Sequence, residues 1–343
     1  MAGLAAAARA RELGAEPLVL EKGDRAGGSM LLSSGVIWRH RTLEGFRAEC
    51  PGGDPALQRL IVEQLDEGIE WLESLGAPVL EEETGNPRTS GKRFDTRGLT
   101  AALAERAGPI HFGQVQVPVT VTGTGTGPDR PTVLATGGFH VRLARELGLP
   151  IRGNPWSEGD GLDFALARGG EAAGAREEFY GRAMPAGIPI EEAEFVPLSQ
   201  LYGQFADVVS EDGSQRFEGA VWWSETNLVQ AIAHWPGGRA WYRVHESRLS
   251  ERVRERSVAD MIEEARAAGA VVKAEPPYTS VLVQATVTQT LSGIRVDPRA
   301  RVVGADGLYA AGADAGGVAT GGYSSGLAAA LVFGRIAAEE ALS

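Results

Sequence analysis

The sequence predicts an α/β protein in which a second, mixed α/β unit interrupts the first. Short apolar strands followed by glycine-rich turns recur near the start, middle and end of the chain, at residues 16–20, 131–135 and 307–310. Between residues 175 and 285 the composition changes, because four of the seven tryptophans lie there. We therefore expect one discontinuous domain, formed by residues 1–174 and 286–343, and a domain inserted over residues 175–285.

The individual elements follow from local patterns. Gly14 ends an opening helix before the first strand, and apolar residues at helical spacing mark further helices. Helices are predicted over residues 4–13, 55–75, 96–107 and 258–268, within 157–169, and over 326–342. Strictly alternating valines predict a strand within residues 110–122. The Thr-Gly repeat at residues 123–127 is not followed by a helix, so it predicts a hairpin turn and not a phosphate loop.

Bulk composition excludes several classes of function. The net charge is −12 and the pI is about 5.1, which argues against a nucleic-acid or anionic-membrane partner, since either would require a basic face. Cys50 is the only cysteine, so an intrachain disulfide or a cysteine-based metal centre cannot form. The sequence has no apolar run long enough for a membrane segment, and charged residues within the first 13 positions exclude a signal peptide. A cytoplasmic protein is expected.

The first 21 residues contain the second half of a dinucleotide-binding motif. Such a site needs a strand, a G-x-G-x-x-G turn and a helix whose amides face the pyrophosphate, with an acidic residue about 20 positions further on to bind the ribose. Met1, Ala2 and Gly3 would be the last three positions of that turn, and Glu21 ends the second strand. The first strand and first two glycines do not occur in this chain, so this signal alone is weak.

Five further motifs carry a specific resemblance. They are, in chain order, residues 21–29 (EKGDRAGGS), 134–139 (LATGGF), 159–161 (GDG), 307–312 (GLYAAG) and 332–337 (VFGRIA). Their sequence and order resemble those of FAD-dependent enzymes related to the fumarate reductase and succinate dehydrogenase flavoproteins. The resemblance covers the whole chain and implies a Rossmann-type FAD-binding domain with an inserted mixed α/β capping domain.

The resemblance also implies which residues bind FAD. Gly27 and Gly28 would let the backbone approach the pyrophosphate, Asp160 would lie near the ribityl chain, and Ser325 is a good N-cap for the last helix. In this family the positive end of that helix faces the flavin pyrimidine, where it stabilises negative charge. The complete predicted set is Ala2, Gly3, Glu21, Lys22, Gly27, Gly28, Ser29, Gly35, Ala135, Thr136, Gly137, Gly138, Asp160, Gly312, Asp314, Ser324, Ser325, Gly326 and Leu327.

Departures from the family pattern restrict the substrate. Fumarate-reducing relatives hold the substrate carboxylates with a histidine and arginines, but the matching positions here are Gln289, Thr226-Asn227 and the neighbourhood of Gly321. Without those cations a dicarboxylate would enter an uncompensated site, so fumarate and succinate are disfavoured. Asp314 is a possible substitute for the usual glutamate after Ala-Ala-Gly. The histidine that attaches FAD covalently in some relatives is missing near residues 29–33, so non-covalent binding is expected.

The predicted reaction is dehydrogenation of a carbon–carbon bond next to a carbonyl, or its reverse, with hydride exchanged at flavin N5. Tyr323 is the candidate catalytic residue, as in the related ketosteroid dehydrogenases; the alternative is that it only packs against the ring. The four tryptophans at residues 175–285 favour an apolar or cyclic small-molecule substrate. The electron acceptor is unknown, and a quinone, a carrier protein or oxygen would each serve.

Three further interpretations remain open. The absent first strand suggests either a truncated or non-catalytic relative with impaired FAD binding, or a start upstream of Met1. A third interpretation is a binding module that uses FAD structurally or binds another adenine nucleotide. A bound nucleotide without flavin absorbance would identify that module.

Overall fold

The computed structural model describes residues 1–114 and 131–343. The α-helices in these ranges are α1 (Ala2–Glu12), α2 (Leu43–Glu49), α3 (Pro55–Ser74), α4 (Thr96–Ala107), α5 (His140–Leu147), α6 (Asp160–Leu166), α7 (Thr226–Ala233), α8 (Val258–Ala267) and α9 (Gly326–Ala341). None of them is both long enough and apolar enough to cross a membrane. The predicted helices are confirmed, with ends that differ by a few residues.

The strands are mostly short. They are β1 (Val19–Leu20), β2 (Val36–His40), β3 (Val79–Glu81), β4 (Thr89–Phe94), β5 (Ile110–His111), β6 (Thr132–Leu134), β7 (Ala172–Ala173), β8 (Phe179–Pro185), β9 (Ala206–Ser210), β10 (Arg239–His245), β11 (Arg252–Val253), β12 (Arg256–Ser257), β13 (Val272–Glu275), β14 (Tyr278–Thr290), β15 (Gly293–Ile294) and β16 (Leu308–Ala310). Most of the predicted valine strand beyond Gln114, and the predicted hairpin at 123–127, lie outside the described residues.

The chain forms two compact units. The first comprises Met1–Phe139, Asn154–Glu178 and Gln289–Ser343, and the second comprises His140–Gly153 and Phe179–Thr288. Residues 140–153, which the sequence-based ranges placed in the first domain, thus belong to the second unit. The assignment of cofactor binding and capping to the two predicted ranges stays a prediction.

Two pairs of parallel strands organise the first unit. β1 pairs with β5, and β6 pairs with β16, where Leu308 lies opposite Thr132. An antiparallel sheet of order β2-β4-β3 belongs to the same unit. Parallel pairing aligns the carboxyl ends of the strands, and in open α/β folds ligands bind at that edge.

Close helix packing holds the first unit together. Helix α1 packs against both α9 and α4, and its alanines from Ala5 to Ala8 are completely buried. Alanine has no side chain beyond Cβ, so neighbouring backbones can approach closely. At the crossing with α9, a Cβ added to Gly334 would lie 2.7 Å from the carbonyl oxygen of Ala2 and 3.2 Å from Cβ of Ala5.

We expect Gly334→Ala to lower the free energy of unfolding by about 1–3 kcal/mol, because overpacking forces two helix backbones apart. Urea unfolding followed by circular dichroism would measure the loss. Gly68→Ala is the matched control, since the three atoms nearest to its added Cβ all belong to the side chains of Leu331 and Arg335, at 3.1 Å or more, and alanine favours a helix by about 1 kcal/mol over glycine. Equal losses in both variants would contradict close α1–α9 packing.

The second unit is built around an antiparallel sheet of order β13-β14-β10-β9, and β8 also pairs with β14. Tyr202 and Tyr242 are fully buried, with ring centroids 5.6 Å apart. From the sequence alone, Arg243 is predicted to form an ion pair with a neighbour such as Glu246. Instead, its guanidinium lies 3.3 Å from the carboxylate of Asp207, which is directly opposite on β9. Strand register and not sequence proximity determines this ion pair.

Candidate functional site

A cavity of about 480 Å³ lies in the first unit, at the carboxyl ends of its parallel strands. β1 leads into Glu21, β6 into Ala135 and Thr136, and β16 into Ala311 and Gly312, and all of these residues line the cavity. A volume of this size is within the range of ordinary ligand pockets, about 300–1,000 Å³. The parallel strands thus bring the predicted motifs, which are far apart in sequence, to one place.

Most of the predicted cofactor-binding residues form the wall of this cavity. The lining members are Ala2, Gly3, Glu21, Lys22, Gly27, Gly28, Ser29, Ala135, Thr136, Gly137, Asp160, Gly312, Gly326 and Leu327. Among the described residues that form the wall, Gly35, Gly138, Asp314, Ser324, Ser325 and Tyr323 are not included. The structure therefore separates wall residues from residues that lie behind the wall.

Two helices begin at the cavity. The first turn of α1, from Met1 to Leu4, and the first residues of α9, Gly326 and Leu327, line it. Ser325 is the N-cap of α9, as the sequence predicts, and its hydroxyl accepts a hydrogen bond from the Ala328 amide at 3.3 Å. Helix N-termini carry partial positive charge and unpaired amides, so the cavity favours negatively charged ligand groups.

Charged side chains follow β1. One oxygen of Glu21 accepts a hydrogen bond from the Gly23 amide at 2.8 Å, which fixes the carboxylate at the cavity edge. The ammonium of Lys22 lies 2.8 Å from Glu158 and 2.9 Å from Asp160. Burial lowers the pKa of Lys22, but the hydrogen bonds that its ammonium donates to these two carboxylates outweigh burial and raise that pKa above its usual value. Asp160, predicted as a ribityl partner, is thus held by Lys22 on the wall.

Different local contacts make glycine necessary at different positions of the site. Both Gly27 and Gly28 adopt positive φ angles, +106° and +53°. A Cβ at Gly27 would lie 3.0 Å from the Thr100 hydroxyl, so packing against α4 already requires glycine there. At Gly35 a Cβ would collide with the carbonyl oxygen of Phe94, because β2 and β4 approach closely. Sheet packing therefore requires glycine at position 35 independently of any cofactor, and the predicted cofactor contact of Gly35 stays a prediction.

Asp314 lies directly behind the cavity wall and holds the turn after β6. It is buried and accepts hydrogen bonds from the Thr136 amide, from the Thr136 hydroxyl at 3.0 Å and from the Gly138 amide at 2.9 Å. Burial raises the pKa of this carboxyl, and the hydrogen bonds from Thr136 and Gly138 oppose the rise. The predicted cofactor ligand is thus placed to shape the Thr136–Gly138 turn.

Some wall residues were not predicted as cofactor-binding. Gln289 lies beside the start of α9, where a Cβ added to Gly326 would collide with its side-chain amide, 2.8 Å from Nε2. Trp156 packs so closely on Gly23 that a Cβ there would lie 2.7 Å from the indole ring. Asn154 also lines the cavity, and its backbone N–H donates a hydrogen bond to the Ser29 hydroxyl at 3.0 Å. Of these three residues, only Gln289 was marked by the sequence, because it stands where fumarate-reducing relatives have a histidine.

Tyr323 is partly exposed and precedes the N-cap of α9 by two residues. Its ring lies 5.5 Å from the ring of Trp38, and its carbonyl oxygen lies 3.4 Å from Nε2 of His40. His40 is buried, which lowers its pKa and favours the neutral form of the imidazole. The backbone of Tyr323 is therefore held by β2.

The residues present fit FAD on structural grounds. Two helix N-termini can face a pyrophosphate and a flavin ring, a carboxylate at the end of β1 can accept ribose hydroxyls, and glycine turns leave room for close backbone approach. Apart from Lys22, which is paired with Glu158 and Asp160, acidic and neutral side chains form the rest of the wall, which is consistent with a cofactor that brings its own chemistry.

The fold of the chain is similar to that of several solved proteins. Among solved structures, a flavocytochrome c3 fumarate reductase in an open conformation superimposes with a TM-score of 0.70 at 22% identity, over 100% of this chain and 77% of that chain. The 3-ketosteroid-Δ4-(5α)-dehydrogenase of Rhodococcus jostii RHA1 gives 0.69 at 18% identity, over 99% and 94%. The 3-ketosteroid Δ1-dehydrogenase of Sterolibacterium denitrificans gives 0.68 at 16% identity, over 99% and 97%.

No curated protein sequence matches the chain. The structural likenesses confirm the predicted fold, an FAD-binding α/β fold similar to that of these flavoproteins. A family model described as FAD binding domain matches residues 1–123 and 126–326. That match covers most of the sequence and includes nearly every motif that lines the cavity. The chain therefore belongs to the FAD binding domain family, and its cofactor is FAD.

Proposed function

We propose that this protein is an FAD-dependent oxidoreductase acting on a carbon–carbon bond next to a carbonyl in an apolar or cyclic substrate. The observation that carries the proposal is the N-terminus of α9, which opens on the FAD cavity beside Gln289. When bound, FAD supplies a two-electron acceptor or donor that exchanges hydride at N5 with the substrate. Non-covalent binding is part of the proposal.

The residues have separate roles in this proposal. The amides at the start of α9 stabilise negative charge on the flavin pyrimidine, and the Gln289 amide can donate a hydrogen bond there. Ala2, Gly3, Gly27 and Gly28 surround the pyrophosphate, and Glu21 accepts the ribose hydroxyls. The Tyr323 hydroxyl gives or takes the proton that accompanies hydride transfer.

The charge near Tyr323 supports the substrate class. Close to the position of an arginine in fumarate-reducing relatives stands Gly321, whose amide donates a 3.0 Å hydrogen bond to the carboxylate of Glu178. A carboxylate at this place repels a dicarboxylate and leaves a neutral ligand unaffected. In the second unit, Asn227 stands at the position of another arginine of those relatives. Its side chain carries no charge and is hydrogen-bonded to the backbone of Ala220 and Trp222. The dehydrogenase neighbour from Rhodococcus, solved with a steroid dione, offers the first ligands to test.

The first experiment is the visible spectrum of the purified protein and of the material released by denaturation. Yellow protein that releases FAD supports the proposal and justifies a screen of cyclic ketones with an artificial electron acceptor. A colourless protein with bound adenine nucleotide would instead support the alternative of a nucleotide-binding module. Flavin-loaded protein that reduces or oxidises no cyclic ketone would support the non-catalytic alternative.

We expect Tyr323→Phe to reduce kcat by about 100-fold or more while the flavin spectrum stays unchanged, because a positioned proton donor contributes about 10²–10⁴ in rate. Steady-state kinetics on the best ketone, with flavin content as the reference, would measure the effect. Tyr309→Phe is the matched control, since it removes only a hydroxyl that donates to the Glu340 carbonyl at 3.1 Å. Retention of kcat in Tyr323→Phe would show that this ring only packs against Trp38.

A further inference from the structure

A buried glutamine outside the cavity wall is bonded to the segment that leads into α9. Gln58, on the first turn of α3, is completely buried. Its Nε2 donates to the carbonyl oxygens of Cys50 at 2.9 Å and Val318 at 3.0 Å, and its Oε1 accepts from Arg47 at 3.1 Å. The two donor hydrogens and the acceptor oxygen of the amide are therefore all used, and such a satisfied buried group fixes its partners in one arrangement.

We call residues 317–323 the Tyr323 loop. Along its length this loop lies against residues 49–58. The Asp54 amide donates to Gly317 at 2.8 Å, and the Gly52 amide donates to Thr320 at 3.2 Å. Backbone contact is so close that a Cβ on Gly322 would collide with the Glu49 carbonyl and lie 3.0 Å from Sγ of Cys50.

Tyr323, at the end of the loop, is held through both its backbone N–H and its backbone carbonyl group. The amide of Tyr323 donates to the thiol of Cys50, and its carbonyl oxygen lies 3.4 Å from His40. Burial raises the pKa of Cys50 to about 12, so the thiol stays neutral and acts as a packing and hydrogen-bonding group. The next residues, Ser324 and the N-cap Ser325, lead directly into α9, so the position of the loop also determines where the helix N-terminus points.

We propose that Gln58 is a positioning residue that fixes the Tyr323 loop and thereby the N-terminus of α9 against the flavin. Gln58 is not among the described residues that line the cavity, and it acts through Val318 and Cys50. The part concerning turnover rests on the proposed function of Tyr323. The part concerning flavin binding rests on the position of α9 alone.

The test compares Gln58→Met, which keeps the length and removes all polar atoms, with Gln64→Met on the same helix. Each apoprotein is titrated with FAD and followed by flavin fluorescence, and the visible spectrum and midpoint potential of the loaded protein are recorded. For Gln58→Met we expect the FAD dissociation constant to rise at least tenfold, with shifted absorption bands and a changed midpoint potential. The control should stay within twofold of the parent protein.

Arg47→Met provides a second, milder variant if Gln58→Met fails to fold. It removes the partner of Oε1 and also the bonds from the guanidinium to the carbonyl oxygens of Gly53 and Pro51, but leaves both donations of Gln58 intact, so we expect a two- to fivefold weaker FAD affinity. A lowered melting temperature with unchanged FAD affinity, spectrum and potential in either variant would overturn the proposal, because Gln58 would then be only structural. If flavin affinity and potential change while kcat per bound flavin does not, the positioning role holds and the proposed role of Tyr323 fails.

Discussion

Replacing Asp314 by alanine is expected to abolish FAD retention and to lower the free energy of unfolding by about 3–5 kcal/mol. The carboxylate accepts hydrogen bonds from the amides of Thr136 and Gly138 and from the Thr136 hydroxyl. Without it these donors stay buried with no acceptor, and each unsatisfied buried group costs about 1–3 kcal/mol.

The loss of FAD follows from the geometry of the turn. Thr136 and Gly137 line the cavity, and the Thr136 hydroxyl accepts from the Gly161 amide at 3.1 Å, at the start of α6. Asp314 therefore connects β16, the turn after β6 and the start of α6. When the carboxylate is removed, all three wall segments lose a common anchor. FAD content after gel filtration and urea unfolding of the apoprotein would measure the two effects.

Asp306→Ala is the control for this variant, because Asp306 is exposed and precedes the same strand. We expect its stability to change by less than about 0.5 kcal/mol and its FAD content to stay unchanged. The stability and FAD content of Asp314→Asn should lie between those of Asp314→Ala and Asp306→Ala. The amide oxygen of asparagine can still accept a hydrogen bond, while its NH₂ group faces another donor. FAD retention by Asp314→Ala would show that the turn after β6 keeps its shape without the carboxylate.

Much of the cavity could be predicted because its residues come directly after strands or directly before helices. Glu21 follows β1, Ala135 follows β6 and Gly326 begins α9, and these local positions are visible in the sequence. Parallel strands then bring such positions to one edge of the fold. The sequence did not show which contacts make a glycine necessary. A Cβ at Gly27 would crowd the Thr100 side chain, and a Cβ at Gly35 would collide with the Phe94 carbonyl oxygen.

The residues that sequence analysis missed act across long distances along the chain. Gln58 meets Val318, and Trp156 packs on Gly23; neither contact is implied by periodicity or by a motif. Arg243 shows the same limit at shorter range, because its partner Asp207 depends on the register between β9 and β10. Local patterns define elements and their ends, whereas these contacts depend on how the elements pack.

The second large effect concerns Glu225, a buried acid of the second unit. Only 4% of its surface is exposed, and it is the N-cap of α7 with a positive φ of 56°, which is strained for a residue with a side chain. Its Oε1 accepts from the Gly203 amide at 2.7 Å. Within the described part of the chain, neither its Oε2 nor the buried hydroxyl of Tyr242 has a hydrogen-bond partner.

Burial raises the pKa of Glu225 from 4.5 to about 7, while Arg182 and the Gly203 amide act in the opposite direction. The other titratable groups facing it are Tyr202 and Tyr242, whose own pKa values are raised by burial and by Glu225. A carboxyl whose pKa is higher in the folded state binds its proton more tightly there. Its contribution to stability is therefore complete below about pH 4.5 and is lost as the pH rises to about 7.

We expect Glu225→Gln to remove this pH dependence, because the amide keeps an acceptor for Gly203 and carries no charge. Relative to the parent protein, the variant should gain on the order of 3 kcal/mol between pH 4.5 and pH 7.5, at about 1.4 kcal/mol per unit of pKa shift. Urea unfolding at several pH values, followed by tryptophan fluorescence, would show it. Four of the seven tryptophans lie between residues 222 and 241, so the signal reports on this unit.

Glu218→Gln is the control, since Glu218 is exposed and its substitution should shift stability by less than about 0.5 kcal/mol at every pH. The difference between the two glutamine variants isolates the buried carboxyl from the general effect of removing one negative charge. If the Glu225→Gln and parent curves run parallel from pH 5 to pH 8, water reaches the carboxyl and Glu225 titrates normally. If they diverge as the pH rises, the strained turn before α7 holds a neutral acid whose ionisation destabilises the second unit near neutral pH.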